Sequence, residues 1–146
     1  MIIFFIKASK GVYVLRLDSD DTLEPNSIKE YLRIIKQNEF ECIFSDYNLI
    51  DDDNNITSIF KRSVKSDLFE NDRTFHGACT AIKRSFFDEI NGYDEEFNRQ
   101  DGYYIWLKSK IKNKKIKHLS IALFNYRKHD SSLSSDLRKL FNVRYN

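Results

Sequence analysis

A chain of 146 residues, 41% hydrophobic and 14% aromatic, is long enough for one ordinary core and too short for two, so residues 1–146 are expected to form a single domain. One Pro and four Gly exclude a collagen-like or a Pro/Gly-rich disordered segment. Its 24 Lys and Arg against 22 Asp and Glu leave a net charge of +2, far from the one-sided excess of a nucleic-acid binder, and no nucleic-acid partner is expected.

The start, MIIFFIKASKG, carries an apolar run of five residues after Met1. That is too short to span a bilayer and lacks the flanks of a signal peptide, so no targeting or spanning segment is expected. Local propensity reads Ile2–Lys10 as strand. Val12–Leu17 (VYVLRL) mixes β-branched, aromatic and aliphatic residues as a buried strand does, and it runs directly into Asp18-Ser19-Asp20-Asp21. After Pro25, Ile28, Tyr31, Leu32 and Ile35 fall at i, i+3, i+4 and i+7 and predict a helix with one apolar stripe against a sheet.

Cys42–Phe44 and Tyr47–Ile50 read as strand, DDDNN at 51–55 as a polar turn, and Ile56–Phe60 as the returning strand of an edge hairpin. Residues 61–76 show no period and are expected to be a loop. Gly77–Lys83 reads as a closely packed strand, and Arg84–Ile90 as a short helix ended by Asn91-Gly92. From Asp101 to about Asn113 a helix is expected, with Tyr104, Leu107 and Ile111 on one face and with Trp106 and Tyr103 as core rather than a sugar-stacking platform. Ile116–Tyr126 contains a strand, and Asp136–Asn142 forms a last amphipathic helix. Strand–helix alternation with acids at a strand's end is α/β logic, in which ligands collect outside the carboxyl ends of strands.

Cys42 and Cys79, at no metal-ligand spacing, read as free thiols in a reducing compartment, which points to the cytoplasm. Asp18 and Asp20 stand two apart, so an extended chain would point both carboxylates to one side, where they could share a divalent cation. Oxygen ligands select Mg²⁺ or Mn²⁺, ions commonly held by one or two carboxylates together with substrate phosphates. The competing reading is a loop in which Asp21 or Thr22 caps the next helix. An EF-hand is excluded: counting from Asp18 puts Leu23 at its Gly position and Lys29 at its Glu position, and counting from Asp51 puts Ile56 at the Gly position.

Four segments occur in order: G-x-Y-V-x-x-L-D-S-D-D-x-L-x-P, G-A-C-T-A-I-K-R-S-x-F-x-E-I-N-G-Y-D-E-E-F, Q-D-G-Y-Y-I-W-L-K and Y-R-K-H-D-S-S-L-S. Together, from about Lys7 to Ser134, they resemble the family 2 glycosyltransferases. The resemblance implies an inverting sugar transferase with a glycosyltransferase-A, Rossmann-like mixed sheet flanked by helices, a metal, and a nucleotide-sugar donor, most simply a UDP-sugar. The acceptor would be a glycan or a lipid-linked hydroxyl, as in surface polysaccharide synthesis. By motif, Asp18 and Asp20 match the family's D-x-D pair, Asp20 as direct metal ligand and Asp18 nearer the donor ribose. Asp101 matches the second acid of the E-D motif and so a general base, with Gln100 where Glu is common; its alternative role is to cap the helix carrying Trp106. His129 matches a His that approaches metal or diphosphate, and the resemblance puts His76, Gly77 and Gln100 at the substrate pocket; for His129 and His76 the alternative is a plain loop residue. Gly77, without Cβ, would let substrate come close.

The lysines at 108, 110, 112, 114, 115 and 117 read as a solvated helix end or as a contact with anionic lipid, placing the chain at the inner face of the membrane. Members of the family normally begin with a strand–helix–strand segment ahead of the stretch matched here, and in them Ile2–Lys10 would end a helix. A noncatalytic remnant, or half of a split transferase completed by a partner chain, is therefore the alternative function. A sugar nucleotidyltransferase would want a Gly- and Lys-rich loop that MIIFFIKASKG does not offer.

Overall fold

The computed structural model describes residues 6, 8–62, 76–94 and 101–128. Its elements are β1 (Tyr13–Leu15), β2 (Thr22–Leu23), α1 (Ser27–Ile35), β3 (Cys42–Ile50), β4 (Ile56–Phe60), β5 (Ala81–Lys83), α2 (Arg84–Glu89), α3 (Asp101–Ile111) and β6 (Ile116–Arg127). The expected helix at Asp136–Asn142 and nearly all of Ile2–Lys10 lie outside the described residues, although Ile6 and Ala8 are helical.

One mixed sheet runs in the order β1-β5-β3-β6-β2, with β4 also on β3. β3 and β6 are its parallel centre, and every other pairing is antiparallel. β5 pairs with the first residues of β3 (Cys42, Ile43) and β4 with the last (Tyr47–Ile50). This is the α/β architecture expected. β3 is one continuous strand rather than two, because its polar middle is satisfied. Ser45 Oγ lies 3.3 Å from Tyr31 Oη, and Asp46 Oδ1 accepts from His118 Nε2 and from the Arg62 backbone N–H, each at 2.7 Å. Buried polar groups cost little when bonded in this way.

Two helical faces differ from expectation. α1 buries Ser27, Tyr31 and Ile34, while Ile28 and Leu32 stay half-exposed. The rotation follows from polar anchors: Ser27 Oγ bonds the Leu123 carbonyl of β6, and Tyr31 Oη donates to the Cys79 carbonyl. α3 buries Gly102, Tyr104, Ile105, Trp106 and Ser109, and Ile111 is 68% exposed. Trp106, the largest fully buried side chain, takes the centre of a cluster with Phe44, Ile82 and Phe86.

Gly77–Lys83 is strand only at Ala81–Lys83. Cys79 holds a left-handed backbone (φ 53°), so the segment before it turns, and the Cys79 N–H bonds the Arg16 carbonyl at 2.7 Å. The end of α2 is as expected, with Asn91 and Gly92 at positive φ and the Gly92 N–H bonding the Phe87 carbonyl. Cys42 and Cys79 are buried free thiols.

Candidate active site

β1 ends at Leu15, and the next residue, Arg16, is the hub of the site. Its planar fork reaches two acids far apart in sequence. Nη2 donates to Asp18 Oδ2 at 3.4 Å, Nε lies at ion-pair distance from Asp18 Oδ1, 3.0 Å, and Nη1 meets Asp101 Oδ2 at 2.5 Å. The guanidinium also lies over the Tyr93 ring, 5.5 Å from its centroid. Burial works against the charge on Arg16, but Asp18, Tyr93 and Asp101 more than offset it and raise its pKa. Burial pushes the Tyr93 phenol up to about 12. Sequence reading missed Arg16; its one signal was a lone cation inside the apolar run VYVLRL.

Asp101 is the first residue of α3, and its Oδ2 pairs with Arg16. Gly77 explains how the two acids come together. A Cβ there would stand 2.8 Å from Arg16 Nη2, 3.3 Å from Asp101 Cβ and 3.3 Å from the Gly102 nitrogen. The missing side chain thus admits Arg16 and the start of α3.

Asp18 to Asp21 form a turn, closed by the Asp21 N–H on the Asp18 carbonyl at 3.2 Å. The chain is not extended there, and the alternation argument for two parallel carboxylates does not apply. Asp21 caps no helix: it is buried, and Oδ1 accepts from the Arg127 N–H of β6 at 3.0 Å. Burial raises its pKa to about 6, with the Asp20 and Asp18 charges adding to the rise. Asp21 Oδ2 is buried without a hydrogen-bond partner.

Among the described residues no three His, Cys, Asp or Glu side chains are grouped to hold a metal; His129 and Gln100 lie outside them. The donor chemistry still fits a hard divalent ion, since the side chains of the turn offer only oxygen atoms and such ions take one or two carboxylates together with substrate phosphates.

His76 sits in an aromatic cluster, its ring 4.7 Å from that of Tyr126, 5.5 Å from Tyr47 and 5.8 Å from Phe124. Nδ1 accepts from the Ala78 N–H at 3.1 Å, and burial, reinforced by Arg62 and Arg16, lowers its pKa to about 3. It is a neutral ring that braces the 76–80 turn. In the lysine stretch, Lys112 and Lys114 pair with Glu89 at 3.1 and 2.6 Å, while Lys108, Lys110 and Lys117 lie over Tyr104, Trp106 and Phe40. No helix among the described residues is long and apolar enough to cross a membrane.

The family model described as glycosyl transferase family 2 matches residues 2–91. The chain belongs to that family. No curated protein sequence matches this family 2 chain. Solved structures do: S. aureus TarS 1–349 with UDP-GlcNAc superposes with a TM-score of 0.63 at 15% identity, over 94% of this chain and 42% of TarS 1–349. TarS 1–349 without ligand matches with a TM-score of 0.63 at 16% identity, over 84% and 37%. With UDP it matches with a TM-score of 0.58 at 14% identity, over 94% and 41%. The family 2 chain thus has a partial glycosyltransferase-A fold and spans about two fifths of the length of these neighbours.

Proposed function

We propose that this chain carries the catalytic acids of an inverting glycosyltransferase that moves a sugar from a nucleotide-sugar donor, a UDP-sugar, to the hydroxyl of a glycan or lipid-linked acceptor. Family membership and neighbours crystallised with UDP and UDP-GlcNAc support nucleotide-sugar transfer. The observation that carries the assignment to residues is the Arg16 bridge, which brings the strand-end acid Asp18 and the helix-start acid Asp101 to one guanidinium.

Asp101 is the general base. Arg16 occupies Oδ2 and fixes the carboxylate plane, so Oδ1 is the atom that takes the acceptor proton. The acceptor oxygen bonds to the anomeric carbon, the bond from that carbon to the diphosphate oxygen breaks, and the nucleoside diphosphate leaves with inversion. Asp20 and Asp18, joined by His129, would hold a Mn²⁺ or Mg²⁺ ion. When bound, that ion supplies charge neutralisation for the leaving diphosphate. The family resemblance assigns Gln100 and Gly77 to substrate binding, and His76 supports the turn that carries Gly77.

This reading puts transfer on the cytoplasmic side, at the inner face of the membrane. The alternative named from the sequence is half of a split transferase, in which a partner chain completes the donor site. Incubation with a panel of UDP-sugars and extracted glycolipid acceptors, read as UDP release and product anomeric configuration, tests both. Inverted product from the chain alone that vanishes in Asp101→Asn supports the first reading; release only in the presence of added cell extract supports the second. Product of retained configuration overturns the base assignment.

A further inference from the structure

The end of β6 touches both acidic turns through one residue. The Arg127 N–H donates to Asp21 Oδ1 at 3.0 Å, and Nε donates to the Asp20 carbonyl at 3.1 Å. On its other side Nη1 donates to the Asp51 carbonyl and Nη2 to Asn54 Oδ1, each at 2.5 Å. The next residue continues the attachment, the Lys128 N–H bonding the Ile50 carbonyl at 3.1 Å.

The 51–55 turn is itself stiff. Asp51 Oδ1 accepts from the Asp53 and Asn55 N–H groups at 3.0 and 2.9 Å, and Asn54 holds a left-handed φ of 66°. DDDNN, read from the sequence as a polar turn, is braced by these bonds. A guanidinium suits the junction because its fixed plane serves three acceptors in different directions, which an ammonium on a flexible stem does not.

We propose that Arg127 is a positioning residue that locks the 18–21 turn to the 51–55 turn and thereby sets where Asp20 presents its carboxylate to the donor. The proposal rests on the reading of Asp18–Asp21 as the diphosphate-side turn. It extends that reading to Arg127 and to the 51–55 hairpin.

The test uses the full chain and two mild variants. Asn54→Gly keeps the left-handed backbone and removes one acceptor, while Arg127→Lys keeps the charge and removes the fork. Amide hydrogen exchange at Asp21, whose N–H closes the turn on Asp18, is expected to speed up about tenfold in both, with exchange in β3 unchanged. UDP titrated with Mn²⁺ is expected to bind about tenfold more weakly to both, and UDP without Mn²⁺ as it does to the parent. Unchanged Asp21 exchange in Arg127→Lys overturns the proposal, as does faster exchange spread equally through β3. If the parent chain shows no Mn²⁺-dependent UDP binding, the diphosphate reading fails, and the exchange data still decide whether Arg127 locks the two turns.

Discussion

Arg16 Nη1 meets Asp101 Oδ2 at 2.5 Å, joining the end of β1 to the first residue of α3 across 85 positions of sequence. The same guanidinium holds Asp18, so one cation sets the spacing between the acid assigned to the donor and the acid assigned to the acceptor. Loss of its fork should therefore disturb chemistry more than folding.

Arg16→Lys keeps a charge but cannot span both carboxylates. Turnover should fall about a hundredfold, the size of effect that a small displacement of a catalytic group produces, with a far smaller change in donor KM. Steady-state UDP release at saturating donor measures it. A variant with parental kcat would remove Arg16 from the account.

Asp101→Asn is nearly isosteric and keeps one oxygen toward Arg16. Transfer should drop by about a factor of 10²–10⁴, the usual contribution of a general base, while UDP binding stays at the parental level. Parallel transfer assays and titrations separate the two effects.

Gly77→Ala places a methyl 2.8 Å from Arg16 Nη2. The side chain has to move, and the variant should lose about 1–3 kcal/mol of stability together with most of its activity. Denaturant unfolding beside the transfer assay checks both. Full activity would show that the Arg16 bridge is not required.

His76 gives the chain an acid-side weakness. Its folded pKa of about 3 lies below the ordinary 6.5, so the unfolded chain takes up a proton that the folded chain refuses once the pH falls below about 6.5. Stability from this group falls on acidification with a slope approaching about 1.4 kcal/mol per pH unit, down to its folded pKa. Asp21, raised to about 6, acts with the opposite sign between its unfolded value and that pH. Urea unfolding at pH 7, 6 and 5 should show His76→Gln losing less stability on acidification than the parent; parallel curves would contradict a neutral ring at His76.

Much of the fold is local and so was legible. Asn91-Gly92 ends α2 because a left-handed pair costs Asn and Gly little, and the DDDNN turn pairs Tyr47 with Phe60 as an alternating hairpin does. Periodicity failed where tertiary polar bonds choose the face. Ile28 and Leu32 match a helical stripe as well as Tyr31 and Ile34 do, but only the side bearing Ser27 and Tyr31 finds the carbonyls of Leu123 and Cys79. Leu32→Ala should accordingly change stability by less than about 0.5 kcal/mol and Ile34→Ala should cost about 2–5 kcal/mol, which chemical denaturation resolves.

Within the site, Asp18, Asp20 and Asp101 were legible as motif residues, and the structure brings Asp18 and Asp101 to one partner. Arg16 and Arg127 were not, since their roles exist only between segments distant in sequence. The tight place at Gly77 was readable as a residue without Cβ, but what fills the space is set by α3.

The most direct measurement is titration calorimetry of the 146-residue chain with UDP, with and without Mn²⁺, in the parent and in Asp20→Ala. Saturable binding that requires Mn²⁺ and is lost in Asp20→Ala is the predicted result. Binding indifferent to both Mn²⁺ and Asp20, or none by the folded parent chain, would contradict a donor site on this turn.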